Sequence, residues 1–112
     1  MLKAALYARV SSEEQAKREN SIPAQLRALR EYCRKNNIEI FKEYKDEGIT
    51  GQISKRPAFQ QMLSAAFSEK INVILVHKFD RFARKVELSR SVKNSLQAAK
   101  VNVVSITEPI ED

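Results

Sequence analysis

Arg9 and Ser11 lie two residues apart at the end of an apolar run that starts at Ala4. On a strand, residues two apart project to the same side. A guanidinium there favours an alkoxide on its neighbouring hydroxyl, or holds a phosphate oxygen against it. A second group, Lys78-Phe79-Asp80-Arg81-Phe82-Ala83-Arg84, follows another apolar run. Extra positive charge at a helix start is unfavourable unless an anion arrives. Phe79 and Phe82 interleave those charges, which points to side chains held by packing. Acyl hydrolysis is disfavoured, because there is no G-x-S-x-G turn and His77 is the one histidine. Arginine-rich surroundings suit phosphoryl transfer, where catalysis is mainly positioning and electrostatics.

Plainer readings exist for each residue. Ser11 can end a strand by bonding a turn, and residues 78–84 can be a solvated basic helix start. Asp80 can orient an arginine, move a proton or form a salt bridge. His77, alone at a strand end, is read as structural, with no ligand cluster for a metal.

The elements that position these groups follow from periodicity. Residues 4–10 and 71–76 are apolar runs of strand length, the second reading as a central strand covered on both faces. Residues 38–44 begin with alternation and are wetter, as an edge strand would be, and 101–106 form a fourth strand. Between them lie a helix over 22–35 with Ile22, Leu26, Leu29 and Cys33 on its apolar face, and a helix from Pro57 with Phe59, Met62, Leu63, Ala66 and Phe67 buried. A third helix is anchored by Leu88, Val92 and Leu96. Ser21 is the expected N-cap of the first helix, Pro23 falls in its first turn, and Asn36-Asn37 end it. The segment 45–55 holds both glycines and reads as a loop.

Strands alternating with helices imply right-handed βαβ units and a mainly parallel four-stranded sheet flanked by helices, a three-layer α/β domain. Every loop after a strand then reaches one rim. That rim collects Arg9 and Ser11; Asp46, Thr50 and Arg56; Lys78, Asp80, Arg81 and Arg84; and Thr107 and Glu108.

The 112 residues suit one domain with a single core. Twenty basic against fourteen acidic residues give a net charge of +6, which favours phosphate-bearing partners without naming one. A single cysteine, Cys33, excludes an internal disulfide and reads as a helix residue with no redox role. With no signal peptide and no membrane-length apolar run, the expected location is cytoplasmic.

Tyr7-Ala8-Arg9-Val10-Ser11-Ser12-Glu13-Glu14-Gln15 resembles the opening motif of the serine site-specific recombinases, the resolvase/invertase family. Lys78 to Arg84 resembles the family's second motif, an Asp-Arg pair with another arginine three residues on. Asp46, Thr50-Gly51 and Arg56-Pro57 are similar to its Asp … Ser-Gly … Arg-Pro pattern, with Thr50 where serine is common. Gln15 and Gln25 also fall where the family has them. The resemblance spans Tyr7 to about Glu108 and suits the large transposon- or phage-integrase type.

It implies that Ser11 attacks a DNA phosphodiester, leaving a 5′-phosphoserine link and a free 3′ hydroxyl, with neither ATP, metal nor other cofactor. Arg9, Arg81 and Arg84 would stabilise the pentacoordinate phosphorus. Arg56, Asp46 and Asp80 would share the pocket, with Gln15, Thr50, Lys78 and Tyr7 contacting or orienting substrate. The implied partners are double-stranded DNA and, in a full-length parent, copies of the same chain as homodimer and homotetramer; no membrane is implied. Family members continue into a long interface helix and a DNA-binding region, so a chain ending at Asp112 is expected to be a fragment inactive alone. The competing reading is a non-catalytic α/β module that binds phosphate or a nucleotide, which the absence of a G-x-G-x-x-G or Walker pattern disfavours.

Overall fold

Alternation within the first strand decides how the layers form. The computed structural model describes residues 2–10, 21–47, 56–68, 70–82 and 90–108. Their order is β1 (Lys3–Val10), α1 (Ile22–Asn36), β2 (Glu39–Glu47), α2 (Pro57–Phe67), β3 (Val73–Val76), α3 (Phe79–Phe82), α4 (Arg90–Ala98) and β4 (Asn102–Ser105). Ala4, Leu6, Ala8 and Val10 of β1 pack with Ile22, Leu26, Leu29 and Cys33 of α1. Ala5 and Tyr7 face the other way, onto Phe59, Met62, Leu63 and Ala66 of α2, Phe82 of α3 and Leu96 of α4. Side chains alternate across a strand, so one strand fills two cores.

The strand order is β2-β1-β3-β4, and each of the three pairings is parallel. With α1 on one face and α2 and α4 on the other, this is the expected three-layer domain. β2 lies at an edge, and all four residues of β3 are buried.

Local signals set the ends of α1. Ser21 Oγ accepts the Ala24 N–H at 3.2 Å, and Pro23 occupies the first turn, where its missing N–H costs nothing. Asn37 closes the helix in the left-handed region at φ 56°, which asparagine tolerates well. Ser21→Ala is expected to cost about 1 kcal/mol, seen as a lower urea midpoint with an unchanged slope. An unmoved midpoint would show that the cap contributes nothing.

Several boundaries differ from those read in the sequence. β2 continues to Glu47, so Asp46 lies on a strand and not in the 45–55 loop. Ala4 pairs with Ile40 and Ala5 with Lys42, leaving Phe41 as an extra residue in the edge strand. This bulge breaks the alternation, and Ile40 and Phe41 are each 39% exposed. Phe67 is 43% exposed and does not belong to the buried stripe. Neighbouring helical residues point about 100° apart, and Ala66 takes the core-facing position. β3 begins at Val73 and β4 at Asn102, each later than expected, although Ile71 and Val101 are buried beside them. Leu88 lies outside the described residues. Cys33 is buried and in no disulfide, and burial pushes its thiol pKa up.

Candidate active site

At the C-terminal rim of the sheet, polar side chains from four elements meet. Arg9 is delivered by the end of β1, on the same side as Ala5 and Tyr7 by alternation, and is buried. Its Nε donates to the Arg81 carbonyl at 3.4 Å. The first strand and the arginine-bearing turn after β3 therefore converge, as the parallel topology requires.

Arg56 is 0% exposed. Its Nε donates to Tyr7 Oη at 3.1 Å, and its Nη2 donates to the carbonyls of Arg81, at 3.0 Å, and of Phe82. Its guanidinium lies over Phe59, 4.2 Å from the ring centroid, and 5.3 Å from that of Tyr7. A charge so deep in an apolar core costs several kcal/mol unless it is bonded, and carbonyls and aromatic faces supply that bonding here. Arg81 O accepts from both Arg9 and Arg56, so the last turn of α3 ties the two arginines together.

Tyr7 and Asp46 complete the assembly. The Tyr7 hydroxyl donates to Asp46 Oδ2 at 2.7 Å. Asp46 also accepts the backbone N–H groups of Ala58 and Phe59, each at 3.1 Å. These belong to the first turn of α2, whose own N-cap, Arg56, makes no side-chain capping bond. A carboxylate from the neighbouring strand thus caps this helix, satisfying donors that no local residue serves. Burial pushes the Tyr7 phenol well above its ordinary range, with Asp46 adding to the rise and Arg56 opposing it, so the hydroxyl remains a donor.

Gln25 received no assigned role in the sequence reading, yet it is buried and holds the strand end. Its Oε1 accepts the Arg9 N–H at 3.3 Å and its Nε2 donates to the Arg9 carbonyl at 3.1 Å. The β1–β3 pairing ends at Tyr7 opposite Val76, so this side-chain amide extends the bonding beyond the last pair. A glutamine three residues after Ile22 and one before Leu26, on an otherwise apolar stripe, was the available signal.

Of the residues expected at the site, the structure brings Arg9, Arg81, Arg56, Tyr7 and Asp46 together. Tyr7 and Arg56 have no exposed surface, and their bonds run to each other, to Asp46 and to the carbonyls of Arg81 and Phe82. Lys78 is exposed on the same rim. Asp80 lies in α3, between Phe79 and Arg81. Ser11, Gln15, Thr50 and Arg84 lie outside the described residues. Among the described residues no group of three or more His, Cys, Asp or Glu could hold a metal ion, and no helix is long and apolar enough to cross a membrane.

Residues 4–112 match the family described as Resolvase, N terminal domain. The fold is similar to the N-terminal catalytic domain of TP901-1 integrase, with a TM-score of 0.80 and 29% identity, covering 94% of this chain and 78% of that one. A resolvase family site-specific recombinase from Streptococcus pneumoniae gives a TM-score of 0.79 at 31% identity, covering 98% of this chain and 75% of that one. The Bacillus subtilis protein named "Putative DNA recombinase" is 28% identical over 102 residues, which is 91% of this chain and 20% of that protein. The chain therefore spans a fifth of the length of that curated relative.

Proposed function

Because this chain belongs to the resolvase N-terminal domain family, we propose that it is the catalytic domain of a serine-type DNA recombinase whose nucleophile is Ser11. The Ser11 oxygen attacks a DNA phosphorus, forming a phosphoserine ester to the 5′ end as the bond to the 3′ oxygen breaks. The released 3′ hydroxyl carries the balancing proton. One phosphodiester is exchanged for another, so rejoining is the reverse reaction and needs no nucleotide hydrolysis. Arg9, Arg81 and Arg84 stabilise the charge that builds on the equatorial oxygens, the role guanidinia serve in phosphoryl transfer. Double-stranded DNA is the substrate, and the full-length parent acts as a dimer that pairs into a tetramer.

The observation that carries this reading is the bond between Arg9 at the end of β1 and the Arg81 carbonyl, over the C-terminal rim of an all-parallel sheet. Ligand sites form outside the carboxyl ends of such strands. The test is to incubate the full-length parent with DNA and resolve covalent protein–DNA adducts on a denaturing gel. Adducts are expected with the native protein and absent with Ser11→Ala. Adducts persisting in Ser11→Ala would remove Ser11 as the nucleophile.

A further inference from the structure

We propose that Glu108, in a clasp completed by Ser105 and Thr107, is a positioning residue that fixes the turn carrying Arg81. This rests on the recombinase reading for its effect on activity, but not for the clasp itself. β3 and β4 end side by side, with Val76 paired to Ser105. Beyond that pair both segments leave the sheet, yet they stay bonded. The Ile106 N–H donates to the Val76 carbonyl at 3.0 Å. Thr107 Oγ1 donates to the His77 carbonyl at 2.6 Å. Ser105 Oγ lies 3.2 Å from that carbonyl and 3.0 Å from Glu108 Oε1, sharing its proton between them. Glu108 Oε1 accepts the Phe79 N–H at 2.7 Å.

α3 is four residues long, too short to hold its own geometry, so its placement must come from outside. At its C-terminal end the carbonyls of Arg81 and Phe82 are held by arginines of the site. At its start the first N–H, an orphan in any helix, is taken by Glu108. A bond to an ionised carboxylate is stronger than a neutral one. The Phe79 N–H, then Ser105 and the nearby Lys78 charge, hold the Glu108 carboxyl below the usual range, so the strong form is the one present. Arg81 follows Phe79 by two residues, so a turn released at Phe79 carries Arg81 with it.

The clasp is tested first in this chain by amide hydrogen exchange. Glu108→Ala is expected to speed exchange at Phe79 by about tenfold or more, the cost of a lost charged hydrogen bond. The Ala24 amide, capped by Ser21 on the far face, is expected to be unchanged, and Glu108→Gln, which keeps an acceptor oxygen, to restore protection. Unchanged exchange at Phe79, or equal acceleration at Ala24, overturns a local clasp. In the full-length parent, Glu108→Ala is expected to slow single-turnover cleavage about 100-fold with DNA affinity intact, as small misplacements do, and Glu108→Gln to recover most of the rate. If Ser11→Ala abolishes adducts while Glu108→Ala cleaves at the native rate, the positioning role fails and the recombinase reading stands. If Ser11→Ala still forms adducts, that reading fails, and exchange at Phe79 decides the clasp alone.

Discussion

Replacing Arg9 with alanine is expected to slow strand cleavage by roughly 10³- to 10⁵-fold, about 4–7 kcal/mol of transition-state stabilisation. Arg9 is 6% exposed, and a guanidinium withdrawn from water exerts a stronger field on a nearby phosphate than a solvated one. Its backbone is pinned by Gln25 and its Nε by the Arg81 carbonyl, so the charge is oriented before substrate arrives. Lys93 is exposed on α4, and Lys93→Ala is expected to change the rate little, since exposed charges are worth about 0–1 kcal/mol. Single-turnover cleavage measured side by side decides the matter. Equal rates in the two variants would show that Arg9 does not act on the phosphate.

Arg56→Ala is expected to lower folding stability by about 3–5 kcal/mol, the range for breaking a buried, bonded charge. The loss removes a guanidinium from beside the Phe59 and Tyr7 rings, strips the Phe82 carbonyl of its donor, and leaves a void. Tyr7→Phe removes only the hydroxyl that links Arg56 to Asp46 and is expected to cost about 1–3 kcal/mol. Chemical denaturation of this chain reads both. An Arg56→Ala midpoint equal to the native one would mean that the buried cluster adds nothing to the fold.

These two arginines mark how far the sequence could be read. Periodicity gave β1, α1, α2 and β3, because each has an apolar pattern that its burial follows. The rim was legible too, since parallel strands carry Arg9, Asp46 and Arg81 to one edge. What was hidden is the division of labour between residues that share that rim. Arg56 and Tyr7 carry the same functional groups as surface residues, and only tertiary packing shows that they are enclosed. Asp46 caps a helix that starts more than ten residues later, from a neighbouring strand, where rules for local caps do not look. Gln25 and Glu108 act through single side chains on backbone atoms distant in sequence, which leaves no periodic trace. The Phe41 bulge shifts pairing by one residue within a run that still looks strand-like.

The strand order has a consequence for synthesis. β1 is made first, yet it lies between β2 and β3, with a helix layer against each face. A nascent chain can lay β2 and α1 against it early, but its other edge waits for β3 and its second face for α2, Phe82 and Leu96 to leave the ribosome. Through that interval an apolar strand presents unpaired backbone groups, the condition under which chains associate with one another. Slow elongation across this stretch would prolong the exposure.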